Sequence, residues 1–193
     1  MKNNILNIVT LIIVSVTGIY AQTNSVNTVI GNINDTAKYA NTTNVIQGVE
    51  LIEYIPNLEN YTGLIKTVIY RLQNHSKKPV KLIKPHLYEV DGEKPGKELL
   101  PDIPIHEFSE KGKKITVRID ISKNNISLPS KGIFVGLEFA GMINENENTN
   151  NDILTVWNNR KGNPHSLSYS RYKDKLEKTS NALYMSLEII TTK

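Results

Sequence analysis

The sequence predicts an all-β chain, one antiparallel β-sandwich domain behind an export signal. Three observations carry this. Apolar and polar residues alternate with period two along several segments, and turn-forming residues separate those segments. Past Gln22 there is no sustained apolar spacing of three and four, the mark of amphipathic helices. Strands recurring every ~10–15 residues with one wet face indicate a sandwich rather than alternating strand–helix units.

The chain opens on Met1-Lys2-Asn3-Asn4 and continues in an apolar run from Ile5 to Ile19, interrupted by Asn7, Thr10, Ser15, Thr17 and Gly18. After Tyr20-Ala21 it switches to Gln22-Thr23-Asn24. Residues 1–21 therefore read as a secretory signal peptide cleaved after Ala21, the run being too short and too polar for the ~20 apolar residues of a spanning helix. Residues 22–44 are rich in Asn, Thr and Ser and read as a polar lead-in with one weak strand at Val26 to Ile33. Residues 45–193 read as the sandwich domain.

Within that domain the clearest strand is Lys113 to Ile121. Ile115, Val117, Ile119 and Ile121 share one face, and Lys114, Thr116, Arg118 and Asp120 the other. Ile133, Val135, Leu137 and Phe139 make a second stripe, and Leu183, Met185, Leu187 and Ile189 a third. Leu64, Val68, Tyr70 and Leu72 make a fourth, and Leu82 to Val90 a less regular fifth. Pro85 lacks an N–H for a ladder, so its segment is expected at an edge or a bulge. Weaker strands are expected at Val45 to Ile55, Ile153 to Trp157 and Leu167 to Tyr172, and a helical turn or two within Arg171 to Ser180. Asp91-Gly92 and Pro95-Gly96 are turn signals, each expected to place its glycine at positive φ.

Composition narrows the function. The chain of 193 residues is 39% hydrophobic and 22% charged, ordinary for a folded protein. Its net charge of +4 is scattered. The densest groups, Lys77-Lys78 with Lys81 and Lys84, and Lys111 with Lys113 and Lys114, fit a solvated sheet face. Nucleic-acid readers cluster Arg with stacking aromatics, so a nucleic-acid partner is not expected. Cysteine is absent, which excludes disulfides, thiolate metal sites and a cysteine nucleophile.

One stretch carries a resemblance. Pro79-Val80-Lys81-Leu82 leads to His86-Leu87-Tyr88-Glu89-Val90-Asp91-Gly92, then Lys94-Pro95-Gly96-Lys97-Glu98-Leu99-Leu100 and the Lys113 to Ile121 strand. Leu128-Pro129-Ser130-Lys131-Gly132-Ile133-Phe134-Val135-Gly136-Leu137-Glu138-Phe139 closes it. Residues 78–140 resemble the carboxypeptidase-regulatory-like domain of exported Bacteroidetes proteins. The resemblance implies a jelly-roll-like sandwich in the periplasm or on the cell surface of a Gram-negative bacterium, without peptidase activity or zinc ligands. The chain departs from that family at Phe139, where the family tends to place Trp, and in having no immunoglobulin-like segment between signal and sandwich.

The search for chemistry assigns no catalytic residue and no cofactor. The G-x-S-x-G elbow that exposes a serine nucleophile is missing. His75, His86, His106 and His165 are far apart, with no H-E-x-x-H pair. His86 and His106 flank the Asp91-Gly92 turn and could meet across two strands, although satisfied rim histidines are the simpler reading. In the Asn-rich segment 144–152, Glu145, Glu147 and Asp152 offer oxygens for calcium, but without the ligand order or glycine of a calcium loop. Trp157, with Asn159, Arg160 and Tyr169, has the composition of a sugar-binding face, a ring to stack on a pyranose and polar groups for its hydroxyls. The favoured alternative places Trp157 in the core, where large aromatics bury most area. The expected protein is thus a non-enzymatic exported accessory or binding module of the cell envelope, its partner an envelope protein or glycan. The second reading is a carbohydrate-binding or adhesion domain built on Trp157. A hydrolase is the third, and lacks a nucleophile beside a base.

Overall fold

A computed structural model describes residues 25–32, 40–75, 77, 80–100, 102, 105–143, 154–159 and 166–192. The signal-peptide segment and Glu145, Glu147, Asp152, Arg160 and His165 lie outside the described residues. The strands are β1 (Ser25–Gly31), β2 (Ala40–Val45), β3 (Val49–Ile55), β4 (Gly63–Asn74), β5 (Val80–Asp91), β6 (Lys94–Glu98) and β7 (His106–Phe108). They continue as β8 (Gly112–Asp120), β9 (Ile133–Ile143), β10 (Leu154–Asn159), β11 (Ser168–Tyr172), β12 (Lys175–Thr179), β13 (Ala182–Leu183) and β14 (Met185–Thr192).

These strands form two antiparallel sheets packed face to face, the sandwich expected from the alternation. In the first sheet β4 pairs with β8 along one edge and with β14 along the other, and β14 pairs with β1. Ahead of the start of β14, β10 takes its place against β4, with β13 continuing that edge of β10 and β2 pairing along its other edge. The second sheet runs β12-β11-β3-β9-β5, with β6 and β7 both paired to the remaining edge of β5. Between the sheets lies the main core, to which β4, β8, β9 and β14 contribute their inward stripes. Tyr70 is fully buried there, and its hydroxyl donates to the Gly136 carbonyl of the opposite sheet at 2.6 Å.

Strand β8 alternates as its sequence requires, with Ile115, Val117 and Ile119 buried and Thr116, Arg118 and Asp120 exposed. Strand β4 does not. Lys66 is an extra residue against β14, since Thr67 pairs with Glu188 while Ile65 pairs with Ile189. A bulge of this kind shifts the faces by one residue. Ile65 therefore takes the inward place, and Leu64, expected in the stripe, is 41% exposed.

Three other expectations are corrected. The Val45 to Ile55 segment is two strands: β2 ends at Val45 in the first sheet, and β3 starts at Val49 in the second. Between them Gly48 has φ +74°, where a side chain is strained. Arg171 to Ser180 holds no helical turn, because β11 and β12 pair there as a hairpin with Lys173 at φ +53°. Pro85 lies on an interior strand, paired with Leu137 of β9. Leu87 points both its backbone groups to the β6 side, toward Glu98 Oε1 (3.2 Å) and the Leu99 N–H (2.7 Å). Pro85, two residues back, points the same way into the gap between β6 and the last β7 pair at Ile83, so no ladder bond is lost.

The 22–44 segment contributes β1 and β2 to the first sheet, and Ile30 packs against the main core.

Candidate functional site

The outer face of the second sheet carries a polar cluster that register explains. Glu50 of β3 is directly opposite Glu138 of β9 and Arg171 of β11. One step along, Gly136 lies between Ile52 and His86, and Glu98 of β6 is opposite Tyr88 of β5. Residues directly opposite across a pair share a face, so five strands deliver these side chains to one place.

His86 is its centre. Nδ1 lies 2.9 Å from Glu98 Oε2, and Nε2 lies 2.9 Å from Glu138 Oε2. Arg171 Nη1 donates to Glu50 Oε2 (3.2 Å) and to the Tyr88 hydroxyl (2.9 Å), with its guanidinium 4.7 Å from the Tyr88 ring centroid. His86 and Glu50 are buried, while Glu98, Glu138 and Arg171 are half-buried at the rim. Gly136 makes the room, for a Cβ there would run into Glu50 Oε1 and come within 3.0 Å of His86 Cβ. Beside the cluster, Ile52, Tyr88, Phe134 and Tyr169 form a second apolar core on this face.

Burial pulls the pKa of His86 down, but the hydrogen bond to Glu98 and the charges of Glu50 and Glu98 outweigh it, and the net shift is upward. Burial raises the pKa of Glu50, against the opposing pull of His86 and Arg171. A base or nucleophile activator needs a ring nitrogen free to reach substrate. Both nitrogens of His86 are engaged, and the arrangement suits an imidazolium tying the β6 hairpin to β9 across β5.

A second buried carboxylate, Glu53, faces the opposite way. It accepts from Asn32 Nδ2 (2.6 Å), the Leu183 N–H (2.9 Å) and the hydroxyls of Ser166 and Ser168. Burial pushes it up to about 7 despite these donors.

The sequence-derived sugar-binding set is divided between the two sheets. Trp157 is not a core residue, which corrects the favoured expectation. Val156 points into the core, so Trp157 takes the outer face of the first sheet, half-buried. Its indole N–H donates to the Lys113 carbonyl (2.7 Å), and Lys114 Nζ stands 5.2 Å from its ring centroid. Asn159 shares that face by alternation. Tyr169 belongs to the second sheet, buried in the outer apolar cluster with its hydroxyl donating to the Glu93 carbonyl (2.5 Å). His106 pairs with Ile83, three residues along β5 from His86, and the two histidines form no pair. His75 is exposed, its Nε2 2.7 Å from Gln73 Nε2.

Sequence reasoning missed the His86 cluster because its members are scattered from position 50 to 171 and meet only through register. A signal existed in Val49-Glu50-Leu51-Ile52-Glu53-Tyr54-Ile55, where two carboxylates interrupt an otherwise apolar strand. Buried acids of that kind require partners. Among the described residues no group of three or more His, Asp or Glu side chains is arranged to hold a metal ion, and no helix is long and apolar enough to cross a membrane.

No protein-family model matches the chain, and no curated protein matches it. Among the solved structures that align with it are two of the same clostridial protein. One holds the cysteine protease and lectin-like domains of Cwp84, a surface-layer-associated protein of Clostridium difficile, with TM-score 0.47 and 11% identity over 81% of this chain and 37% of that one. The other is clostridial Cwp84 after propeptide cleavage, with TM-score 0.48 and 12% identity over 81% and 41%. The chain spans less than half the length of either.

Proposed function

We propose that this chain is a non-enzymatic exported β-sandwich, an accessory or binding module of the cell envelope. The observation that carries the reading is the engagement of His86 on both ring nitrogens. Glu53 is likewise surrounded by donors, so these buried titratable groups are committed to holding strands together. Export rests on the n-region, apolar run and small-residue boundary of residues 1–21. The resemblance of residues 78–140 to the carboxypeptidase-regulatory-like domain supports the same compartment.

The outward placement of Trp157 favours the carbohydrate-binding version over a bare structural role, because a half-buried indole on a sheet face is available to a ligand. The test pairs two assays on the mature protein: turnover of ester, peptide and glycoside substrates, and retention on isolated cell-envelope fractions. The reading expects saturable retention and no turnover above buffer. Turnover that disappears in His86→Ala, with the fold intact, would contradict it.

A further inference from the structure

Trp157, Tyr184, Arg71 and Thr116 form one row across the outer face of the first sheet. The Tyr184 N–H donates to the Trp157 carbonyl (2.7 Å), the Arg71 N–H donates to the Tyr184 carbonyl (3.1 Å), and Arg71 is opposite Thr116. Val156, Leu183, Tyr70 and Val117 beside them point into the core, so all four side chains of the row point outward. The Lys113 carbonyl fixes the indole across β4, and Arg71 Nη1 donates to Thr116 Oγ1. Two side chains on this face, Tyr184 and Thr155, are each only 4% exposed, and neither the Tyr184 hydroxyl nor Thr155 Oγ1 has a hydrogen-bond partner. Buried polar atoms are rarely left in this state.

We propose that this face binds an acidic polysaccharide, a sugar ring lying on Trp157 with its carboxylate or sulfate held between Lys114 and Arg71. The inference rests on the binding-module reading and names its ligand class. An aromatic ring beside hydroxyl and amide groups is the chemistry of sugar recognition, since the ring covers the apolar face of a pyranose. Charge selects among sugars. Lys114 Nζ already sits over the indole, attracted by the ring's negative face. A sugar ring stacked there moves that ammonium off the indole, and an acidic sugar offsets the loss by pairing with it where a neutral one does not. Glu188, a carboxylate on the outer face of the same sheet, pairs with Arg118. Lysine on an edge strand such as β8 also guards against unwanted strand addition. That accounts for Lys114 and leaves the Trp157, Tyr184 and Arg71 row unexplained.

Trp157 is the single tryptophan, so its emission reports on this face directly. The full mature protein is titrated with polygalacturonate, alginate and chondroitin sulfate, and with dextran and poly-glutamate as controls. At least one acidic polysaccharide is expected to shift the emission saturably, with neither control doing so. Sedimentation with the same polymer, which does not depend on the fluorophore, should show Lys114→Ala and Trp157→Phe each weakening binding about tenfold or more, a tenth of the wild-type affinity. Both variants should keep the wild-type melting temperature, and Arg71→Lys provides a third variant if Trp157→Phe fails to fold. The proposal is overturned if none of the three polysaccharides binds, or if poly-glutamate competes equally. Binding that survives Lys114→Ala and Arg71→Lys undiminished also overturns it, while leaving the binding-module reading in place. That reading falls separately, on substrate turnover.

Discussion

Glu50 and Glu53 belong to one strand and face opposite ways, and each is buried by a different device. Glu50 shares the outer face with Arg171 and His86, over the space that Gly136 leaves. Substituting Gly136→Ala fills that space, forcing Glu50 off Arg171, and overpacking of this kind costs about 1–3 kcal/mol. The variant should melt several degrees lower, and unchanged melting would remove the close approach from the account. Glu53 faces four donors, from Asn32, Ser166, Ser168 and Leu183. Its pKa of about 7 in the folded state lies above the ordinary 4.5, so the native protein holds a proton that the unfolded chain releases first. Stability from this group is fully present below about pH 4.5 and is lost as pH rises through about 7, by up to roughly 3 kcal/mol at about 1.4 kcal/mol per pH unit. Glu53→Gln should therefore flatten the fall in melting temperature between about pH 5 and pH 8. An equal fall in both proteins would contradict the assignment.

At the scale of strands and turns, β8 provides the sharpest contrast. Val117 packs in the core and Arg118 is at the surface, where it pairs with Glu188. Val117→Asp buries an unpaired carboxylate and should cost several kcal/mol, a large part of a domain's ~5–15 kcal/mol margin. Arg118→Ala should stay within about 1 kcal/mol, as exposed ion pairs do. Comparable melting temperatures would refute the assignment of faces. The hairpin between β5 and β6 separates its two glycines. Gly92 has φ +60° with no atom within 4 Å of its missing Cβ, and together with Glu93 it forms a two-residue turn. Gly96 lies inside β6 without positive φ, contrary to expectation, and a Cβ there would meet Asp91 Cβ at 3.0 Å. Gly92→Ala should cost about 1 kcal/mol from backbone strain alone. Gly96→Ala should cost less, because a shift of a few tenths of an ångström in Asp91 relieves the contact, and a larger loss at Gly96 than at Gly92 would contradict this ranking. Strand β8 was legible in the sequence because one face is dry and the other wet. The inward stripe of β9, Ile133 to Phe139, was legible too, but Ile52 of β3 and Phe134 of β9 bury the outer face as well, and that second core left no alternation to read. Strand β4 misled because the bulge at Lys66 leaves no trace in an apolar run. Trp157 was misplaced because burial by residue type is an average, and the alternation of Leu154, Val156 and Asn158 inward was the better guide.

At the scale of the whole molecule, three of the buried titratable groups act in one direction. Glu50, Glu53 and His86 all hold protons more tightly than usual. Stability from His86 is present below about 6.5 and is lost as pH rises through its elevated folded pKa. The sandwich should therefore melt highest on the acid side of neutrality. The His86 clamp itself is open to a direct measurement, nitrogen-detected NMR of the imidazole through a pH titration. With a carboxylate on each side, Nδ1 and Nε2 should both carry protons at neutral pH, and the titration midpoint should lie above the ordinary histidine value. A neutral single-tautomer ring at neutral pH, with one nitrogen unprotonated, would contradict the clamp and return His86 to consideration as a base.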